Sequence, residues 1–221
     1  MTGNTAAAGP LEGHGVLNRG RRMRGITLWV AAWIAALAAG ATFAGPLEDG
    51  MAAYHDKDYA KAAELWRPLA ESGNATAQYS LGTLYAEGKG VAQNDATAFA
   101  WFQKAAEQGN ATAQFNVGAS YASGTGVTRS YADAAKWFRR AADQGMAFAQ
   151  LNLGLLYAAG NGVPQDNVEA LKWLELALRG LPAGESAMDV AHAIQDVAGK
   201  MNRDQIDEAR VREADWKASR K

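Results

Sequence analysis

Residues Ala77–Gln114 read AQYSLGTLYAEGKGVAQNDATAFAWFQKAAEQGNATAQ, and residues Ala113–Gln150 read AQFNVGASYASGTGVTRSYADAAKWFRRAADQGMAFAQ. A shift of 36 aligns Gly82 with Gly118, Tyr85 with Tyr121, Gly88-Lys-Gly90-Val91 with Gly124-Thr-Gly126-Val127, and Trp101 with Trp137. A further copy follows at Gly154, Tyr157, Gly160, Gly162, Val163 and Trp173. Self-similarity at a period of 20–50 residues marks a solenoid, in which each unit buries its apolar face only against its neighbours.

Each unit divides into two helices. Ala77, Leu81 and Tyr85 fall at i, i+4 and i+8, one apolar stripe of a helix A. Gly82, Gly118 and Gly154 recur in the middle of this helix, where glycine costs about 0.5–1 kcal/mol relative to alanine, so a neighbouring helix is expected to press close there. Gly88, Gly124 and Gly160 suit the left-handed residue that ends helix A. The pairs Gly90-Val91, Gly126-Val127 and Gly162-Val163 then turn the chain and tuck in one apolar side chain. Helix B opens at Asp58, Asn94, Ser130 and Asp166, all N-cap residues, with Asp133 and Glu169 three residues beyond two of them, close to a capping box. Gly109, Gly145 and, one residue early, Gly180 close helix B. Large aromatics at Trp66, Trp101, Trp137 and Trp173, set against alanines, are expected in the core.

The pattern A-Q-x-x-L-G-x-x-Y-x-x-G-x-G-V followed by A-x-x-W-x-x-x-A-A-x-x-G resembles the Sel-one-like repeat (SLR) family, relatives of tetratricopeptide repeats. The likeness covers about Leu47–Gly180. It implies an all-α fold: a right-handed α-solenoid of antiparallel helix pairs in 36-residue repeats, with A helices along a concave face. The first unit departs from the pattern. Leu47–Tyr54 is a short helix A, and His55-Asp-Lys-Asp58 replaces the Gly-x-Gly-Val loop, as expected of an N-terminal capping unit. After Gly180 the period is lost. Ala187, Ala191, Ile194, Ala198 and Met201 make an amphipathic stripe. Asn202 with Gln205 opens a last helix carrying Ile206, Ala209 and Trp216 inward. The expected organisation is a leader over 1–22, a signal peptide over 23–44, the solenoid over 45–180, C-terminal capping helices over 181–217 and a basic tail over 218–221.

The export reading rests on Arg19, Arg21, Arg22 and Arg24, then an apolar run from Ile26 to Ala39, then Ala41-Thr-Phe-Ala44-Gly45. A basic region, an apolar region and small residues before a cut are the three parts of a secretory signal. Cleavage after Ala44 or after Ala41 would release a periplasmic or secreted chain. The apolar stretch is about 18 residues, near the roughly 20 that span a bilayer, so an uncleaved anchor is the alternative. Met23 stands directly before this segment as a second candidate start. Loss of residues 1–44 removes four of 22 basic and one of 23 acidic residues and leaves a net charge of −4.

Catalytic chemistry finds no foothold. There is no cysteine, and His14, His55 and His192 share no helical spacing, so neither a thiolate nucleophile nor a zinc set can be assembled. The Gly-x-Gly loops lack the Lys-Ser/Thr of a phosphate loop. No catalytic, cofactor or metal residue is assigned, and a near-neutral charge gives no nucleic-acid footprint. Asn74-Ala-Thr76 and Asn110-Ala-Thr112 match a glycosylation acceptor, but a helix start explains both. Recognition of another protein or peptide remains. The A-helix columns out of phase with the core stripe are Ser80, Thr83 and Glu87, then Asn116, Ala119 and Ser123, then Asn152, Leu155 and Ala159. Of these, Ser80, Thr83, Glu87, Asn116, Ser123, Asn152 and Leu155 are the expected partner-binding residues. Tyr79, Phe115 and Leu151 are expected to pack between repeats. The resemblance implies adaptor roles, with a bilayer-anchored adaptor as one variant. It also implies a rival enzyme class, penicillin-binding or β-lactamase-like, whose members are cysteine-rich; this chain has none.

Overall fold

A computed structural model describes residues 45–220; the expected leader over 1–22 and signal peptide over 23–44 lie outside the described residues. The described chain is all-helical. Four helix pairs follow one another: α1 (Pro46–His55) with α2 (Tyr59–Glu71), α3 (Ala75–Glu87) with α4 (Asp95–Glu107), α5 (Ala111–Ser123) with α6 (Tyr131–Asp143), and α7 (Ala147–Ala159) with α8 (Asn167–Gly180). Two further helices, α9 (Glu185–Ala198) and α10 (Arg203–Ala218), pack on α8. Short connections between packed neighbours make each pair an antiparallel hairpin, so the chain is an α-solenoid of helix pairs.

The expected start and stop signals operate at atomic level. Side chains of Asp58, Asn94, Ser130 and Asp166 accept first-turn N–H groups of α2, α4, α6 and α8. Asn74 and Asn110 do the same for α3 and α5, each at 2.9 Å, which accounts for the two acceptor-like tripeptides. Asn202 and Gln205 form the full capping box. Gly88, Gly124 and Gly160 end α3, α5 and α7 in the left-handed region, at φ +66°, +83° and +70°. Two signals act otherwise. Gly180 is the last residue of α8 rather than a left-handed stop, and a Cβ there would lie 2.9 Å from Ala147 Cβ. Neither Asp133 nor Glu169 completes a capping box: the Asp133 carboxylate accepts from the Ser130 hydroxyl and Lys136, and the Glu169 carboxylate from Lys172, Trp173 and Arg212.

The core sits between repeats. One cluster joins Ala62, Ala63, Trp66 and Ala70 of α2 to Ala77, Leu81 and Leu84 of α3; a second joins α4 to α5, and a third α6 to α7. The fourth joins α8 to Val190 and Val197 of α9 and Ala209 of α10. No hairpin could bury these faces alone, which is why the terminal pair must be covered by non-repeat helices. Glutamines reinforce the junctions. Buried Gln78, Gln114 and Gln150 each donate to a carbonyl eight residues earlier, at Ala70, Ala106 and Ala142. Gln108 and Gln144 donate in turn to Gln78 and Gln114, at 2.7 and 2.8 Å. Within a pair, Gly82, Gly118 and Gly154 admit Phe102, Phe138 and Leu174; a Cβ at Gly118 would fall 2.7 Å from the Phe138 ring.

Two expectations are corrected. Of the four repeat tryptophans, Trp66 and Trp173 are buried, but Trp101 and Trp137 are half-buried, each beneath a cation, Lys104 at 4.1 Å and Arg140 at 4.4 Å. The buried aromatics of those two helices are their neighbours Phe102 and Phe138. The α9 stripe is shifted: Val190 and Val197 are buried against α8, Ile194 and Met201 pack half-buried on the same cluster, and Ala191 is exposed. Beyond α10, Arg220 of the basic tail donates to the Asp143 carbonyl at the end of α6.

α10 buries just Ala209 and Glu213, so polar contacts fasten it. Arg212 bonds Glu169 at 3.0 Å, Arg179 bonds Glu213 at 2.9 Å, and the Trp216 ring meets Trp173 edge-on at 5.8 Å. Burial alone would raise the Glu169 carboxyl, but Lys172, Arg212 and the Trp173 indole N–H outweigh it and hold the group below the ordinary carboxylate range. A carboxylate so depressed contributes stability that is present above the unfolded value of about 4.3 and is lost as pH falls through the folded one. Glu169→Gln is therefore expected to cost about 1–3 kcal/mol at pH 7. That cost should shrink towards zero as pH drops below about 4. Urea melts of both proteins across this range check it; a cost independent of pH would contradict the ion-pair account.

Candidate functional site

The inward phase of the A helices decides which residues face out. With Ala77, Leu81 and Leu84 of α3 fully buried, Ser80, Thr83 and Glu87 are left on the other side of the same helix. Between α1 and α3 lies a groove of about 290 Å³ whose lining includes Met51, His55, Tyr79, Ser80 and Thr83. Between α3 and α5 lies a second of about 440 Å³, with Tyr79, Thr83 and Glu87 on one wall and Asn116, Ser120 and Ser123 on the other. Tyr79 and Thr83 line both, so the two grooves adjoin and run across three successive A helices.

Five of the seven sequence-derived residues line these grooves: Ser80, Thr83, Glu87, Asn116 and Ser123. Asn152 and Leu155 lie beyond them on α7. Several polar groups are already engaged. Thr83 Oγ1 donates to the Tyr79 carbonyl at 3.1 Å, Ser123 Oγ to the Ala119 carbonyl at 2.9 Å, and Asn152 Nδ2 to the Phe148 carbonyl at 2.8 Å. Glu87 pairs with Lys89 at 2.7 Å. Among the described residues, Asn116 and Ser80 make no side-chain hydrogen bond, and both stand half-buried on groove walls with donors and acceptors to offer.

Other surface residues were harder to see. Tyr79 packs on the Phe102 ring of its own repeat at 5.8 Å, against the cluster that joins α4 to α5, and also forms the wall shared by both grooves. Phe148 is 47% exposed on α7, in the column that holds Thr76 and Thr112 in earlier repeats. That break in the column was the available signal. Phe115 lies between the Phe138 ring at 5.7 Å and the Phe148 ring at 6.5 Å, and so connects the α5 wall to the apolar face of α7. A third, smaller hollow of about 270 Å³ includes Ala132, Lys136, Arg139 and Tyr157 on its walls, from α6 and α7.

The grooves offer hydroxyl, amide, carboxylate and aromatic surface, which suits recognition by shape and hydrogen bonding. Among the described residues, no three metal-ligating side chains come together.

Comparison with known proteins matches the Sel1 repeat family at four successive segments, residues 44–74, 75–110, 111–146 and 147–180. A solved Sel1 repeat protein from Oxalobacter formigenes is 36% identical, covering 68% of this chain and 58% of its own, with a TM-score of 0.62. A protective antigen present in uropathogenic Escherichia coli strains, displaying an SLR fold, is 31% identical over 71% of this chain and 40% of its own, with a TM-score of 0.44. Cysteine rich protein B of Helicobacter pylori is 24% identical over 68% of this chain and 98% of its own, at a TM-score of 0.43. This chain thus spans 58% and 40% of the lengths of the first two. No curated protein matches it.

Proposed function

We propose, from the premise that this chain belongs to the Sel1 repeat family, that it is an exported, non-enzymatic scaffold holding an extended segment of another protein. The binding surface is the pair of adjoining grooves along α1, α3 and α5. Sel1 repeats typically mediate protein–protein interactions, and one observation carries the reading to these grooves: they share Tyr79 and Thr83, so a single extended chain can pass from one to the next. Its backbone would find Ser80 and Asn116 ready to exchange hydrogen bonds. The export half rests on the basic, apolar and small-residue order of residues 19–45.

Two measurements test the two halves. N-terminal sequencing of the protein from fractionated cells should find Gly45 first, outside the cytoplasm; a chain that keeps residues 23–44 and sediments with membranes would make it an anchored adaptor. Asn116→Arg, which places a long charged side chain in the larger groove, should reduce capture of the native partner at least about tenfold. Lys136→Glu, on the walls of the third hollow, should leave capture intact. Equal capture by Asn116→Arg and wild type would remove the groove from the function.

A further inference from the structure

Lysine and arginine are distributed unevenly between the two layers of helices. α1, α3, α5 and α7 contain neither residue. The basic side chains of the repeat helices, among them Lys61, Lys104, Lys136 and Lys172, all lie on α2, α4, α6 and α8. Carboxylates on the first layer are confined to its N-terminal end, Glu48 and Asp49 on α1 and Glu87 on α3. α5 is uncharged and contributes Asn116, Ser120 and Ser123 to the larger groove. α7 is uncharged as well and leaves Phe148 47% and Leu155 44% exposed. The surface therefore runs from acidic through polar to apolar along successive A helices.

We infer that, granted the scaffold reading, the segment it holds is a protein strand that is basic at one end and apolar at the other, its cation beside Glu87 and its apolar side chains on Phe148 and Leu155. Charge complementarity sets the first end. The Glu87–Lys89 pair is exposed on both sides, 42% and 39%, so it holds weakly and a ligand cation can replace Lys89. Lys89 then keeps its place against the Tyr54 and Tyr59 rings, 5.7 and 5.2 Å away. The apolar end is set by area: among the described residues no element covers Phe148 and Leu155, which gain by leaving water. Phe115 links the polar middle to this end through its contact with Phe148. Two steps between A helices, from α3 to α5 and on to α7, of about 8–10 Å each call for roughly six extended residues. A lipid surface fits less well: an acidic end and a layer without lysine or arginine repel anionic headgroups.

The test uses the full chain and labelled ten-residue peptides with two lysines at one end, serine and alanine between, and leucine–phenylalanine at the other, made in both chain directions. One direction should bind. Glu87→Gln should weaken it about fivefold at low salt and little at high salt. Phe148→Ser and Leu155→Ser should each weaken it about tenfold at any salt. These apolar residues are half exposed, and unchanged melts would confirm that the variants fold. Peptides with glutamate for lysine, or with serine for leucine–phenylalanine, should bind at least about tenfold more weakly. Equal binding of the glutamate peptide, or loss confined to Asn116→Arg, would overturn the inference while leaving the groove reading intact. Failure of every peptide, or binding to vesicles of anionic phospholipid in their place, would overturn this inference; retention of native-partner capture would show that the scaffold reading survives it.

Discussion

Gly126→Ala is expected to destabilise the protein by roughly 2–5 kcal/mol, whereas Gly109→Ala costs about 1–2 kcal/mol. Both glycines adopt positive φ, +72° and +94°, so both substitutions carry the strain of a left-handed alanine. They differ in surroundings. A Cβ at Gly109 meets nothing within 4 Å, while one at Gly126 lies 2.5 Å from the Asp95 carbonyl carbon and 3.0 Å from the Ala96 nitrogen. Those are backbone atoms at the start of α4, in the preceding repeat, and cannot swing aside as a side chain would. Relief requires the two repeats to separate, which opens the junction core of α4 and α5. Thermal and urea unfolding followed by circular dichroism would measure both losses. Equal losses would show that the loop does not touch the repeat before it.

The role of Gly126 marks where local reading of this sequence stops. Gly90, Gly126 and Gly162 were legible as turn residues, because a second glycine after a helix stop has that meaning on its own. Their contact with the start of the second helix of the previous pair, at Tyr59, Asp95 and Tyr131, is tertiary and leaves no local mark. The same boundary appears at the C-terminus. The helical period over residues 185–198 was legible, but its phase was not, since apolar side chains stand on more than one face there and only the docking of α9 on α8 decides for Val190 and Val197.

The groove followed from helix periodicity more directly than from any motif. Once Ala77, Leu81 and Leu84 are known to face inward, the opposite columns follow by geometry, and Ser80, Thr83, Glu87, Asn116 and Ser123 lie where that geometry puts them. Asn152 belongs to the same column, yet its amide bonds the Phe148 carbonyl of its own helix. α7 is followed by the cap rather than by another repeat, so an argument from translation along the solenoid weakens there. Phe148 escaped for the opposite reason: it breaks its column, and a search for recurrence passes over what recurs elsewhere as threonine.

Phe138→Ala should cost about 3–5 kcal/mol and Trp137→Ala only about 1–2 kcal/mol, although the larger residue recurs in every repeat. Phe138 is 2% exposed, within a cluster of Ala134, Ala135, Ala141 and Ala142 on α6 and Ala149 and Leu153 on α7. Trp137 is half-buried, rests on the preceding cluster and keeps Arg140 4.4 Å above its ring. The buried tryptophans are at the ends of the array. Trp66 donates to the Leu47 carbonyl at 3.2 Å beneath α1, and Trp173 is closed over by Trp216 of α10. A companion substitution separates core packing from other causes. Gly118→Ala alone should destabilise, since its Cβ would lie 2.7 Å from the Phe138 ring. In the Phe138→Ala background that obstacle is gone, and alanine should instead contribute about 0.5–1 kcal/mol through its helix preference. The difference between the effects in the two backgrounds is the coupling energy of the pair. If Gly118→Ala costs the same in both, the glycine is not there to admit the ring, and the account of how helices A and B approach within a repeat fails with it.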